Sequence, residues 1–194
     1  MYRYETSADM DTAVAGMWYR MQRDGDLDRI FLKDSQTLSE MFRLIQGANK
    51  GMLFEANAED GIWLAMWFEQ VMGVAYCGLW VAKPYRPTLR GLRAVITIYE
   101  QALRWFPAIL GVTKQEALLE PHRKLGYDIL GEIPGIWDGE RAWLVMLTRE
   151  GFARANARRL ARFSPAGHKE PQWISRAALL LEDQVARAKE LHRG

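Results

Sequence analysis

Residues 74–82 read V-A-Y-C-G-L-W-V-A, an unbroken apolar run rich in β-branched and aromatic types. Such a run predicts a buried strand. Pro84 and Pro87 then stop the strand and turn the chain. From Leu89 the period changes. Leu92, Val95, Ile96, Tyr99, Ala102, Leu103 and Phe106 fall on one face of a helix. Thr88 stands where its hydroxyl caps that helix. The order is strand, turn, helix, with the N–H groups of a helix start facing whatever lies beyond the strand end.

The rest of the chain is read outward from this unit. Tyr2 and Tyr4 alternate as on a short edge strand. Ser7 or Asp9 caps a helix running to about Arg23, with Ala13, Met17 and Met21 on one face and Val14 and Trp18 beside them. Asp24-Gly25-Asp26 breaks it. Thr37 followed by Glu40 has capping-box spacing and starts a short helix through Met41, Leu44 and Ile45, ended by Gly47. Residues 51–58 and 62–68 predict strands joined by a turn at Glu59-Asp60-Gly61, and residues 69–73 turn again into the 74–82 strand, making an antiparallel meander. Residues 108–112 form a short buried strand, parallel to 74–82 because a helix crossover joins them. A helix to about Leu125 stops at Gly126. Strands at 127–133 and 141–148 follow, joined by a turn at 134–139. The expected class is α+β: a mixed, mostly antiparallel sheet with flanking helices over residues 1–148.

The remaining residues, 149–194, read differently. Residues 152–163 predict a helix bearing Arg154, Arg158, Arg159 and Arg162. Ser164-Pro165-Ala166-Gly167 interrupts it. Residues 171–191 predict a second helix, on which Ile174, Ala178, Leu181, Val185 and Ala188 make a narrow seam suited to packing on another helix. The segment holds ten Lys/Arg against five Asp/Glu, a net +5, while residues 1–148 hold sixteen against nineteen, a net −3. This split marks 149–194 as a basic helical extension.

Composition narrows the class. A chain of 194 residues, 49% apolar with eight tryptophans, suits one domain, or one domain with an appendage. Its one cysteine, Cys77, excludes an intramolecular disulfide framework and, set in an apolar strand, reads as an inert buried thiol. No apolar run approaches the ~20 residues of a membrane span, and the first residues lack a signal-peptide core, so a cytoplasmic location is expected. No zinc pattern, Walker loop or Ser-His-Asp spacing is present, and no metal is expected.

The central unit also carries a resemblance. Pro84-Tyr85-Arg86, then Arg90-Gly91 and Ala94, then an amphipathic helix, is similar to the acetyl-CoA-binding segment of the GNAT acetyltransferase superfamily. His122-Arg123-Lys124-Leu125-Gly126-Tyr127 is similar to the Y-E-K-L-G-F segment that closes the same fold. The resemblance implies that acetyl-CoA would be held at Arg90, Gly91, Arg93 and Ala94, with its pantetheine between two splayed strands. It also implies that His122, at the family's tyrosine position, is the acid that protonates the leaving thiolate.

In the family the pyrophosphate turn reads (Gln/Arg)-x-x-Gly-x-(Gly/Ala). With Arg90-Gly91 set on its Arg-Gly, the required glycines fall on Arg93 and Val95; with Ala94 set last, the required glycine falls on Leu92. Residues 74–82 hold no carboxylate to act as general base, and Glu55 and Glu69 are the nearest carboxylates on neighbouring strands and turns.

These departures lead to the favoured expectation: a non-catalytic GNAT-fold structural or interaction protein, with no cofactor, similar to GNAT-like proteins of tailed bacteriophages and incorporated into a virion. Its protein partner, or a second copy, would dock on Arg158, Arg159, Arg162, Ile174, Leu181 and Val185. The alternative is an acyl-CoA-dependent N-acetyltransferase with an unusual phosphate turn. Nucleic-acid binding ranks below both, because acidic residues interrupt the tail and no aromatic-basic interleaving is present.

Overall fold

In a computed structural model of the protein, which describes residues 7–27, 37–45, 49–57, 59–137, 140–163 and 172–174, the apolar runs become the centre of a seven-stranded mixed sheet. Helix α1 (Ser7–Arg23) and α2 (Leu38–Ile45) precede the antiparallel meander β1 (Lys50–Asn57), β2 (Gly61–Val71) and β3 (Val74–Val81). A 3-10 turn (Lys83–Tyr85) leads into α3 (Leu89–Trp105), then β4 (Ala108–Thr113). A second 3-10 turn (Glu116–Leu118) opens α4 (Leu119–Leu125), followed by β5 (Asp128–Trp137), β6 (Glu140–Thr148), α5 (Arg149–Phe163) and β7 (Gln172–Ile174). The strand order is β5-β6-β4-β3-β2-β1-β7, and among the described residues only β3 and β4 pair in parallel.

β2 shows why this sheet is central. Its residues Ile62–Phe68 are consecutively buried, so both faces are covered. α1 packs on β2, α2 on β1 and β2, and α3 contacts β1, β2 and β4. Met10, Val14, Met17 and Met21 supply the α1 stripe, and Met41 and Ile45 the α2 stripe. The capping box forms as spaced: the Thr37 backbone N–H donates to Glu40 Oε2 at 2.8 Å, and the Glu40 N–H donates to Thr37 Oγ1 at 3.3 Å.

The structure departs from the sequence reading in three places. Residues 134–137, expected as part of a turn, continue β5 to Trp137, with register shifts against β6. An edge strand tolerates Pro134 and the glycines because one side needs no ladder bonds. Residues 172–174, expected at the start of a helix, instead pair antiparallel with β1, Ile174 opposite Met52. A free sheet edge recruits an extended segment and overrides the helical spacing.

Third, the first helix of the expected extension is built into the domain. α5 contacts α3, α4 and β6, and Phe152 is buried. The Asn156 side chain, also buried, donates from Nδ2 to Leu125 O at 2.9 Å and Phe152 O at 3.0 Å. The expected strand at 1–6, the stop at Gly47 and the rest of the second tail helix lie outside the described residues.

Candidate functional site

β3 and β4 pair only at Ala75–Ile109 and Tyr76–Leu110. Beyond these two pairs β4 stays bonded to β6 as far as Thr113, β3 stays bonded to β2 as far as Val81, and the two part company. A cleft of about 440 Å³ fills the wedge. Gly78–Val81 line one wall and Gly111–Gln115 the other. α3 closes it with Leu92, Val95 and Tyr99, and α4 with Pro121, His122 and Leu125. The facing edges of two separated strands present unpaired backbone donors and acceptors, and an elongated amide-bearing ligand satisfies such edges as a strand would.

The mouth of the cleft is the start of α3. Thr88 caps the helix as expected: its hydroxyl accepts the Gly91 N–H at 3.0 Å. Gly91 is required by the turn itself, since a Cβ there would lie 2.1 Å from Tyr85 O. Its amide is therefore committed to the cap and not open to a phosphate, contrary to the role that the resemblance gives it.

Of the four expected cofactor residues only Gly91 lines the cleft. Arg90 lies over the stacked Trp63 and Tyr85 rings, its guanidinium carbon 5.0 Å and 5.1 Å from their centroids. Arg93 is exposed on α3, and Ala94 is buried in the core.

The arginine at the mouth is Arg86, which the sequence reading passed over. Counting from it, Arg86, Leu89 and Gly91 take the three fixed positions of (Gln/Arg)-x-x-Gly-x-(Gly/Ala), two of them with a matching residue. Arg86 donates from Nε to Val81 O at 2.8 Å and is ion-paired with Asp26. Asp26 also lines the cleft, although it arrives from the end of α1. Its signal in the sequence, Asp-Gly-Asp after a helix, reads only as a stop.

His122 lines the cleft from α4. Its Nδ1 is 2.6 Å from Leu118 O. A carbonyl oxygen only accepts, so Nδ1 carries a proton, and in the neutral ring Nε2 keeps its lone pair. Burial pushes the His122 pKa below its ordinary value, the bond to Leu118 opposing this in part. A neutral imidazole of this tautomer accepts a proton, and the acid role expected for His122 requires the form that burial disfavours. Pro121 stands in the first turn of α4, where no intrahelical N–H is missed.

The Tyr127 ring meets the His122 ring edge-on at 4.8 Å and the Tyr99 ring at 5.8 Å. Burial raises the pKa of both tyrosines and pushes the Cys77 thiol up to about 12, so all three stay protonated near neutral pH. Cys77 is thus the inert thiol that its strand suggested.

The carboxylates considered as bases are not part of this cleft. Glu69 pairs with Lys50 at 3.7 Å, and Glu55 lies on β1, where burial raises its pKa. No cluster of metal-ligating residues occurs among the described residues, and none of their helices is long and apolar enough to cross a membrane.

The tail residues that are described lie on α5 and β7. Arg159 donates to Lys124 O at 3.1 Å and Asn156 Oδ1 at 2.9 Å, satisfying the carbonyl end of α4. Arg158 is exposed on α5, Arg162 lies in its last turn, and Ile174 is in β7. Leu181 and Val185 are outside the described residues.

No protein-family model and no curated protein matches the chain. Solved structures do. The ribosomal-protein-S18-alanine N-acetyltransferase of Escherichia coli superposes with a TM-score of 0.54 at 13% identity, over 70% of this chain and 86% of that one. The spermidine N-acetyltransferase of Vibrio cholerae, in complex with CoA and spermine, gives 0.58 at 8% identity, over 72% and 91%. AAC(6')-Ib, in complex with paromomycin and acetyl-CoA, gives 0.53 at 12% identity, over 74% and 92%. With the parallel β3–β4 pair splayed between a meander and a closing hairpin, the chain has the GNAT acetyltransferase fold.

Proposed function

We propose that the protein is an acyl-CoA-dependent N-acyltransferase and that the β3–β4 cleft holds the pantetheine arm. The observation that carries this reading is the parting of β3 from β4 after two residue pairs. A scaffold with no ligand gains nothing from unpaired strand edges, which cost free energy unless water or a partner satisfies them. The open cleft thus favours catalysis over the non-catalytic interaction role, and nothing in the fold points to a virion.

The residues fit the group in part. Strand edges at Gly78–Val81 and Gly111–Thr113 suit the amides of the arm, and Arg86 with the Leu89 and Arg90 N–H groups at the start of α3 suits the phosphates. Leu89, where the family turn has glycine, is exposed at this end and narrows the approach.

Acyl-CoA supplies an activated thioester carbonyl. The protein's part is to align an amine with it, exclude water, accept the amine's proton at His122 Nε2 as the amide bond forms, and return that proton to the CoA thiolate that leaves as the C–S bond breaks. Calorimetric titration with CoA and acetyl-CoA tests the reading. The expected result is micromolar affinity, about −8 kcal/mol, with acetyl transfer to amines lost in His122→Phe. Absence of binding to either ligand overturns it.

A further inference from the structure

The stop of α1 places a charge. Gly25 takes φ +69°, its N–H donates to Gln22 O at 3.1 Å, and the Asp26 N–H donates to Met21 O at 2.8 Å. This is a Schellman turn, and it sends Asp26 back under the sheet, where it is 1% exposed. Asp26 Oδ2 accepts the Trp80 indole N–H at 2.8 Å and a guanidinium N–H of Arg86. Arg86 also gives its Nε–H to Val81 O.

A guanidinium carries five donors in a rigid plane. Two of those of Arg86 are fixed from behind, and the side chain remains 37% exposed at the cleft mouth. Held this way, the remaining edge of the fork points in one set of directions, and the ordering entropy of a long side chain is spent before a ligand arrives.

Resting on the acyl-CoA reading above, we propose that Asp26 is a positioning residue: it clamps Arg86 for the diphosphate of acyl-CoA and so ties the end of α1 to the phosphate turn. The carboxylate touches no substrate. It acts through Arg86, with the Trp80 indole N–H fixing the same carboxylate oxygen. A clamp of this kind matters for ligands with phosphates and is indifferent to those without.

The test compares CoA with S-acetylpantetheine, whose arm carries neither the diphosphate nor the phosphorylated adenosine, by calorimetry on the full chain. In Asp26→Asn, CoA affinity falls about tenfold, the worth of one charge-assisted hydrogen bond, while S-acetylpantetheine affinity is unchanged. Arg86→Gln gives the same pattern, and the double variant loses no more than Arg86→Gln alone. Trp80→Phe, which keeps the ring and removes the indole donor, shows a smaller loss confined to CoA and stands in for Asp26→Asn should that variant not fold.

Unchanged or tighter CoA binding in Asp26→Asn, with only a lower melting temperature, overturns the proposal and leaves the acyl-CoA reading standing. Equal losses for both ligands also overturn it. Binding of neither ligand by the unaltered chain overturns both.

Discussion

β3 has two halves with different neighbours. Val74–Tyr76 is paired with β2 throughout and gains β4 at Ala75 and Tyr76. Cys77–Val81 keeps β2 and loses β4, which turns its ladder wholly to β6. Two glycines on the open walls show that the opening is not loose packing. At Gly78 a Cβ would lie 2.5 Å from the Trp67 indole, so that site is filled. At Gly111 the nearest atoms, Cys77 O and Val145 Cγ2, are both 3.5 Å away, so one methyl fits. The cleft arises from missing strand pairing between two well-packed walls.

The comparison breaks first at its support. If the open half leans on α5 through α4, deleting residues 149–194 removes Phe152 and Asn156 from the core, and the shortened chain is insoluble or lacks a cooperative transition by circular dichroism. The milder Phe152→Ala costs about 3–5 kcal/mol in urea denaturation. A soluble, cooperatively folded 1–148 fragment would show instead that the walls stand alone.

Next comes the mouth. Gly91→Ala sets a methyl against the Tyr85 carbonyl, and a loss of about 3 kcal/mol is expected in the same assay. The two wall glycines then separate: Gly78→Ala costs roughly 1–3 kcal/mol by overpacking, while Gly111→Ala stays within about 0.5 kcal/mol. Equal costs would mean that both walls are packed alike.

The smallest effect is on pH. The His122 pKa in the folded chain lies below 6.5, its ordinary value. A depressed histidine contributes stability that is fully present above 6.5 and is lost as pH falls from there through the folded pKa. Melting temperatures recorded from pH 8 downward should therefore fall less steeply below 6.5 in His122→Phe than in the unaltered chain.

The sequence made the strand–turn–helix unit legible because the hydrophobic period changes from a continuous run to helical spacing at Leu89, and Thr88 marks the change with its own cap. Thr37 and Glu40 are legible for the same local reason. The mouth was not. Asp26 and Arg86 are 60 residues apart, and their pairing depends on how a Schellman turn aims one side chain beneath a sheet. Arg159 was read as a partner contact because an arginine on a helix looks solvated; only the proximity of α4 shows that it satisfies a carbonyl. At Ile174 helical spacing lost to an unpaired edge, a competition that local pattern does not contain.

Gly126 ends α4 at φ +99°, and there the chain crosses the first turn of α5. A Cβ on Gly126 would fall 2.5 Å from Gly151 O, and one on Gly151 would fall 2.8 Å from Gly126 O. Each backbone occupies the space that the other's side chain would need. The two positions are therefore coupled: a side chain at Gly151 would part the helices, and with them the wall that carries His122. Change at a position with no chemistry of its own would then reach His122, and a substitution scan through 149–163 would find Gly151 intolerant of any side chain, far along the chain from the cleft wall it supports.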